Sequence, residues 1–167
     1  MLLLIGRGVW VIIRNVVSAD YYALSPLINE WWGGRDMSGM LPKLFFDHFN
    51  NTSFVAVEKD LIIGFLIGFL SQSHQEEAYI HFVGVHPNYR KQRVGKNLYQ
   101  AFFEEIRNKN RSKVRCITSP VNKTSIAYHT KIGFRIEAGD KIVDGISVQS
   151  NYDGPGQDRV LFMKELT

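Results

Sequence analysis

A change of hydrophobic period midway along the chain constrains the fold more than any other feature. Ala78–Val85 is a short apolar run typical of a buried strand, and the Pro87-Asn88 pair after it predicts a turn. From Val94 to Arg107 the apolar residues recur at helical spacing, which predicts a helix with one buried face. A further strand, Val114–Thr118, follows. A strand–helix–strand crossover of this kind implies a mixed sheet with helices on both faces.

Further elements lie on both sides of this crossover. Short β-branched or apolar runs predict strands at Val9–Ile13, Phe54–Val57, Leu61–Leu70, Phe134–Ile136 and Val160–Met163. Caps, prolines and helical spacing predict helices from Ser18 to Trp31 with a division at Pro26, from Leu41 to Phe49, and from Asn122 to Lys131. The order β-α-α-β-β-β-α-β-α-β-β predicts an α/β fold of the α+β type. Its central sheet is expected to be mixed, with six to seven strands.

Length and composition bound the class of protein. The chain has 167 residues, 45% hydrophobic and 22% charged, which predicts one globular domain over residues 1–167. The single cysteine, Cys116, cannot form an internal disulfide, which favours a reducing, cytoplasmic location. The longest apolar run, Leu61–Leu70, has about half of the 20 residues that a membrane-spanning helix needs. The apolar start, Met1–Ile5, follows no basic residue and ends at Gly6, so neither a membrane span nor a signal peptide is expected.

Positive charge is concentrated at one place. The formal net charge is +4, and four cations lie within seven residues: Arg90, Lys91, Arg93 and Lys96. Unpaired amides at the start of a helix attract anions, and Gly95 lets a phosphate approach the backbone. A buried strand, a basic loop and a helix in succession therefore predict a pyrophosphate site. The alternative is a solvated basic turn before an ordinary amphipathic helix. The glycine spacing of a Walker loop or of a dinucleotide fingerprint is absent from this loop.

Two motifs in this order resemble those of the GNAT superfamily of N-acetyltransferases. The acetyl-coenzyme A signature of that family, Arg/Gln-x-x-Gly-x-Gly/Ala after Val-x-Pro, is similar to Arg90-Lys91-Gln92-Arg93-Val94-Gly95 after Val85-His86-Pro87. The second pattern, Asn-x-x-Ala-x-x-x-Tyr-x-x-x-Gly-Phe, is similar to the segment from Asn122 to Phe134. The resemblance implies a GNAT-like fold and direct transfer of an acetyl group from acetyl-coenzyme A to an amine, without a metal.

The chain departs from the family pattern at two positions. Arg93 stands where the signature has its first glycine, and His129 stands where a tyrosine commonly protonates the departing thiolate. Tyr128 precedes that position by one residue and points about 100° away on a helix. The first departure bears on the geometry of the loop, and the second on the acid that serves the leaving group.

The resemblance also assigns the coenzyme contacts. Backbone groups of the strand residues Val83, Gly84 and Val85 would contact the pantetheine arm. Asn122 and Ser125 would approach the sulfur end of the coenzyme. The pyrophosphate would be bound by the loop, whose residues are Arg90, Lys91, Gln92, Arg93, Val94, Gly95 and Lys96.

The catalytic candidates are His129, His81 and Glu77. His129 is the candidate acid, because imidazole can supply a proton near neutral pH. Glu77, Tyr79 and His81 alternate along one strand and so share a face, which makes His81 or Glu77 the candidate base for the acceptor ammonium. Each of these also has a plain structural interpretation as a packing or pairing residue, and Cys116 is best interpreted as a small buried apolar residue.

The acceptor is expected to be a small-molecule or peptide amine. By the same resemblance, acceptors enter near the first helices, where Trp31, Trp32, Arg35 and Asp36 would suit an amine with an apolar body. The alternative, which we favour, is that the two tryptophans simply cover the core. The long segment Glu137–Arg159 is expected to border that site. Two rival functions remain: an acyl-coenzyme A sensor with the same fold but little turnover, and nucleic-acid binding, which the lack of interleaved aromatic residues disfavours. A homodimer through an exposed edge strand is possible.

Overall fold

The computed structural model describes residues 1–5 and 8–166 of the chain. Gly6, where the apolar start ends, lies outside the described residues, as do Arg7 and Thr167. The strands are β1 (Leu2–Ile5), β2 (Val9–Asn15), β3 (Phe54–Glu58), β4 (Leu61–Leu70), β5 (Glu77–Val85), β6 (Lys113–Thr118), β7 (Arg135–Ile136), β8 (Lys141–Val143), β9 (Ile146–Val148) and β10 (Val160–Glu165). The α-helices are α1 (Asp20–Leu24), α2 (Ile28–Trp31), α3 (Leu44–His48), α4 (Val94–Asn108) and α5 (Lys123–Lys131).

The chain divides into two compact units. The first comprises residues 1–70 and 80–110, and the second comprises residues 71–79 and the described part of 111–167. Strand β5 contributes its first three residues to the second unit and the remainder to the first.

In the first unit, the strands follow the order β1-β2-β3-β4-β5, and the pairs from β1 to β4 are antiparallel. Helix α4 covers one face, where Val94 and Leu98 pack over Gly64. The opposite face carries the main apolar core, in which side chains from the first three helices meet those of β3 and β4: Leu24, Ile28, Trp31, Phe46, Val55, Phe65 and Ile67. The predicted helices on both faces of the sheet are therefore present.

In the second unit, the strands follow the order β5-β6-β10-β7. Glu77, Ala78 and Tyr79 of β5 pair in parallel with β6, whereas β10 is antiparallel to both β6 and β7. The parallel pair confirms the crossover, and the mixed α/β sheet is confirmed with it. Strands β8 and β9 form a separate two-stranded hairpin.

The observed helix boundaries differ from the predicted ones at two of the four positions compared. The predicted cap at Ser18 is wrong, because α1 begins at Asp20 without a side-chain cap, and the Asp20 carboxylate accepts from the Val17 amide at 2.8 Å. The division at Pro26 is confirmed by the gap between α1 and α2. Helix α3 starts later than predicted, since Leu41 takes a non-helical backbone and is buried in the core. Asn122 caps α5 as predicted. Within the described residues, no helix is both long and apolar enough to cross a membrane.

Candidate active site

The basic loop between β5 and α4 belongs entirely to the first unit. After β5, residues 87–89 form a 3₁₀ turn, in which the His86 ring nitrogen Nδ1 accepts from the Asn88 amide at 3.2 Å. Lys91 and Arg93 then take left-handed backbone conformations, with φ of +66° and +67°. The position where the family has glycine therefore keeps the conformation that glycine favours, although an arginine occupies it.

The start of α4 offers open backbone donors. The first helical hydrogen bond runs from the Asn97 amide to the Arg93 carbonyl at 3.0 Å, so the amides of Val94, Gly95 and Lys96 have no acceptor inside the helix. No side chain caps this end. Such an end attracts an anion, because unpaired amides and the helix dipole both favour negative charge there.

Three cations lie next to these amides along the chain. Lys91, Arg93 and Lys96 are exposed, and among residues 1–5 and 8–166 they take part in no ion pair. Their charges are therefore available to a ligand. Arg90 differs, because its Nη2 donates to the Trp31 carbonyl at 2.5 Å. This donor set fits a diphosphate, for which backbone amides and cations are the usual partners.

His81 lies in an aromatic setting in the first unit. Its ring stacks on Phe45 with centroids 4.5 Å apart, and its Nε2 lies 2.9 Å from the Met40 carbonyl. A carbonyl can only accept, so Nε2 carries the proton and Nδ1 is the basic atom of the neutral ring. Burial lowers the pKa of His81, which the bond to Met40 partly offsets. The ring is consequently neutral at pH 7, as a general base must be.

The tryptophan pair packs beside the same strand. Trp31 is buried and stacks on Phe65, whereas Trp32 is half-buried and lies 4.9 Å from the Phe82 ring. A Cβ added at Gly84 would lie 2.6 Å from the Trp32 ring, so glycine is required for this contact. The glycine at position 84 is the only sequence feature that could have indicated this contact between β5 and Trp32.

Two loop residues follow the tryptophans. Arg35 and Asp36 are exposed. The Ser38 hydroxyl and amide both donate to Asp36 and lower the pKa of its carboxyl. Asp36 therefore keeps a negative charge well below neutral pH.

His129 lies on α5 in the second unit. It is 8% exposed, with its ring stacked on Phe162 and edge-on to Phe134. Its Nδ1 lies 2.8 Å from the Ser125 carbonyl and 3.2 Å from the Ser125 hydroxyl. The Nδ1 proton is thus donated to the carbonyl. Burial lowers the pKa of His129, an effect that the Ser125 bond partly offsets, so the neutral ring predominates at pH 7.

Glu77 is held in a charged trio of the second unit that sequence reasoning missed. Arg115 of β6 binds Glu77 through Nε at 2.7 Å and Glu137 through Nη1. Tyr79, the next residue along that face, pairs with Arg115 in the strand register. The parallel register places these side chains together, and a single-sequence pattern does not reveal a register.

The remaining candidates divide between cap and core. Asn122 accepts from the Ser125 amide at 3.1 Å and so fixes the first turn of α5. Burial raises the pKa of the Cys116 thiol, which keeps it protonated and unreactive, in agreement with its interpretation as a small buried apolar residue. Among the residues described, no cluster of His, Cys, Asp and Glu side chains could hold a metal ion.

The structure therefore divides the predicted site residues into two sets. The first unit holds His81, the strand from Val83 to Val85 and the loop from Arg90 to Lys96. The second unit holds Glu77, Asn122, Ser125 and His129.

A family comparison identifies the class of protein. The family model described as "Acetyltransferase (GNAT) family" matches residues 21–134, more than half of the chain. The chain belongs to the GNAT acetyltransferase family. The match includes both the basic loop and the segment from Asn122 to Phe134 on which the resemblance rests. No curated protein is significantly similar in sequence.

Solved structures of this family share the fold at low identity. Ard1 from Thermoplasma volcanium is 20% identical with a TM-score of 0.74, covering 94% of this chain and 98% of its own. Diaminobutyrate acetyltransferase EctA from Paenibacillus lautus, solved with L-2,4-diaminobutyric acid and coenzyme A, is 22% identical with a TM-score of 0.68 and coverages of 93% and 95%. The ribosomal-protein-S18-alanine N-acetyltransferase from Escherichia coli is 16% identical, with a TM-score of 0.66 and 94% coverage of both chains.

Proposed function

We propose that this protein is an N-acetyltransferase that transfers an acetyl group from acetyl-coenzyme A directly to a primary amine of a small molecule or peptide. One observation carries the proposal. The three amides that open α4 have no acceptor in the helix, and three exposed cations of the same stretch form no ion pair within residues 1–5 and 8–166, at the family's coenzyme signature.

The proposed coenzyme contacts follow the loop and the strand before it. The amides from Lys91 to Lys96 hold the diphosphate, while Val83, Gly84 and Val85 present backbone groups to the pantetheine arm. Arg90 and Gln92 belong to the same loop, and Gln92 donates from its amide nitrogen to the Asn88 carbonyl at 3.0 Å. By resemblance to the family, Asn122 and Ser125 are assigned to the sulfur end.

The proposed chemistry requires one base and one acid. When bound, acetyl-coenzyme A supplies the activated acyl group. The acceptor ammonium loses one proton to the base, and the resulting amine forms the new N–C bond. As the C–S bond breaks, the nitrogen releases its second proton to water, and the thiolate takes a proton from the acid. His81 is proposed as the base through Nδ1, with Glu77 as the alternative, and His129 as the acid.

The acceptor is proposed to be an amine with an apolar body. Trp32 is half-buried beside Phe82, and the Asp36 carboxylate stays ionised. An aromatic face and a carboxylate together suit an ammonium group on an apolar frame. Relatives of this fold are named for both acceptor types, diaminobutyrate and a ribosomal-protein alanine.

An acyl-coenzyme A sensor with little turnover is the second candidate, favoured by the state of His129. The Nδ1 proton of His129 is committed to the Ser125 carbonyl, and its pKa is lowered by burial. The doubly protonated ring that an acid needs is therefore scarce at neutral pH. A sensor would bind the coenzyme and release no thiol.

Calorimetry with coenzyme A tests the binding site. We expect saturable binding by the wild type, weakened about 5- to 30-fold per site by Lys91→Gln and by Lys96→Gln, since a charge-assisted hydrogen bond contributes roughly 1 to 2 kcal/mol. Lys109→Gln is the matched control, because Lys109 follows the far end of α4 and pairs with Glu105. Absence of binding by the wild type would contradict the proposal.

A thiol-release screen with acetyl-coenzyme A and a panel of primary amines then separates enzyme from sensor. Release that depends on one class of amine supports N-acetylation. Saturable binding without release from any amine supports the sensor.

Four further points belong to the proposal: the domain organisation, the location, the oligomeric state and nucleic-acid binding. The two compact units are proposed to act as one acetyltransferase domain, in a reducing cytoplasm. Any homodimer would be measured by sedimentation. Nucleic acid is not expected to bind, so a duplex should stay unshifted at physiological salt.

A further inference from the structure

Arg90 opens the coenzyme signature, yet its guanidinium bonds to the protein itself. Nη2 donates to the Trp31 carbonyl at 2.5 Å, and Nε donates to the Val85 carbonyl at 3.3 Å. A planar guanidinium directs its donors in a fixed fork, so these two bonds fix its orientation. Lys91, its neighbour, is exposed, and its side chain forms no ion pair or hydrogen bond among the described residues. One cation of the loop is thus committed to the fold while the next is available.

The Trp31 carbonyl, which accepts the hydrogen bond from Arg90, is held in place by the packing of its own residue. Trp31 ends α2, is 2% exposed, stacks on Phe65 at 5.9 Å and meets the His86 ring edge-on at 5.4 Å. Carbonyls in the last turn of a helix lack partners within it, and arginine is a favourable donor to them. Arg90 therefore completes the end of a four-residue helix that has little stability of its own.

The other end of Arg90 belongs to the anion-binding loop. Its backbone lies between the 3₁₀ turn and the left-handed Lys91, and the open amides of α4 begin four residues later. An anion held on those amides fixes the backbone from which the Arg90 side chain extends. Beyond Trp31, Trp32 packs on Phe82 and against Gly84. The Arg90 side chain therefore connects the loop to the Trp31 carbonyl by a hydrogen bond, beside the ring contact between His86 and Trp31.

We propose that Arg90 is a positioning residue that ties the coenzyme loop to the end of α2, so that binding at the loop stabilises the backbone around Trp31 and Trp32. This inference rests on the proposed function, because the anion is the coenzyme diphosphate. If coenzyme binding stabilises this segment and thereby raises the affinity for an acceptor bound there, thermodynamic linkage requires that the acceptor raise the affinity for the coenzyme by the same factor.

Hydrogen exchange with coenzyme A as the probe tests this connection. The informative amides are those of residues 31–35, which donate to carbonyls of residues 27–32. In the wild type we expect saturating coenzyme A to slow their exchange about 5-fold or more, the lower range of typical coupling, together with the amides of α4's first turn. In Arg90→Ala, we expect faster exchange at residues 31–35 without ligand, and no slowing there when coenzyme A is bound.

Matched variants separate positioning from phosphate binding. Lys91→Ala removes a neighbouring cation and should weaken coenzyme A while preserving the slowing at residues 31–35. Arg90→Lys retains one donor and should restore part of the slowing that Arg90→Ala loses. Thermal unfolding of each variant confirms that the comparison is made between folded proteins, and Arg90→Lys carries the test if Arg90→Ala does not fold.

The outcomes distinguish the inference from the function on which it rests. If the wild type binds coenzyme A but residues 31–35 exchange at an unchanged rate, the inference is overturned and the proposed function stands. If Arg90→Ala weakens coenzyme A more than Lys96→Ala and leaves the ligand-free exchange unchanged, Arg90 is a direct phosphate ligand and the inference is overturned. If the wild type does not bind coenzyme A, the function itself fails. In that case, faster exchange in ligand-free Arg90→Ala would show only that Arg90 supports α2.

Discussion

Single residues in the basic loop hold conformations that their side chains disfavour. Arg93 has φ of +67° and ψ of 5°, and Lys91 has φ of +66°. A Cβ in the left-handed region costs about 1 to 2 kcal/mol relative to glycine. The loop therefore keeps two cations where two glycines would relax the backbone, and the cost is consistent with a role for their charge.

Replacing Arg93 by glycine separates backbone strain from charge. The relief of about 1 to 2 kcal/mol is reduced by the greater entropy of glycine in the unfolded chain, about 0.4 to 1 kcal/mol. We expect Arg93→Gly to raise the free energy of unfolding by about 0.5 kcal/mol in denaturant titrations and to weaken coenzyme A several-fold at low salt. Arg93→Asn tolerates the same backbone without the charge and serves as the control. A destabilised Arg93→Gly would show that the side chain makes a contact worth more than the strain.

The two histidine proposals predict opposite pH dependences. Burial lowers the pKa of both rings below the ordinary value of about 6.5. A base works when neutral, so the contribution of His81 is lost as pH falls through its lowered pKa. An acid works when protonated, so the contribution of His129 is lost as pH rises through its own. We expect the ratio of wild-type to His129→Gln turnover to be larger at pH 6 than at pH 8, and the ratio to His81→Gln to be larger at pH 8.

Exposed His74 provides the control for both ratios, since His74→Gln should change neither. A ratio for His129→Gln that is independent of pH would remove His129 from proton transfer and leave it a packing residue on Phe162.

At the scale of elements, β5 packs closely against two aromatic rings because Gly84 has no side chain. A Cβ at Gly84 would lie 2.5 Å from the Phe65 ring and 2.6 Å from Trp32. Phe65 is fully buried and contacts both Trp31 and Trp32, so its ring has no room to withdraw without moving its neighbours.

Alanine at Gly84 is therefore expected to destabilise the protein. Overpacking of this kind costs about 1 to 3 kcal/mol, which a denaturant titration measures. Gly39→Ala is the matched control, because nothing lies within 4 Å of its added Cβ and its φ is not positive. That change should remain within about 0.5 kcal/mol. Equal effects at the two positions would mean that backbone entropy, and not the ring contacts, decides the cost.

The long segment from Glu137 to Arg159 is ordered by its own contacts. Strands β8 and β9 pair across Asp144 and Gly145, and the later turn is closed by bonds from the Asn151 amide to Asp158 at 2.9 Å and from the Gly156 amide to Asn151 at 2.7 Å. A long loop that is ordered in this way can present a fixed surface to a substrate.

Trimming this hairpin tests its proposed place beside the acceptor. Lys141 and Val148 face each other in the register, so residues 142–147 can be replaced by an Asn-Gly turn. We expect the KM for the acceptor identified in the screen to change several-fold, while calorimetry finds the same affinity for coenzyme A. Unchanged acceptor kinetics would contradict a role for this segment in acceptor binding.

Across the whole molecule, the sequence predicts what local periodicity and caps determine. The strand–loop–helix run, the division at Pro26 and the Asn122 cap are all local signals, and the structure contains each of them. The two motifs correctly indicated the family. The β8–β9 hairpin was missed although Asp144-Gly145 is a strong turn signal, with φ of +50° and +79°.

What the sequence did not predict depends on distant contacts. Arg115 meets Glu77 only because β5 and β6 are parallel in one particular register, and Arg90 reaches Trp31 across 59 positions of the chain. Single-sequence patterns carry no information on which of many partners a long charged side chain selects. Roles for these residues therefore had to come from the structure.

The tryptophans give this molecule an intrinsic optical signal. The Trp10 indole is 59% exposed and emits from water, whereas that of Trp31 is 2% exposed and lies in an apolar cluster. Because the Trp31 carbonyl receives the Arg90 guanidinium, loosening of that bond alters the surroundings of a buried fluorophore. A blue-shifted component of the emission, insensitive to aqueous quenchers, therefore reports on this corner of the fold without any attached dye.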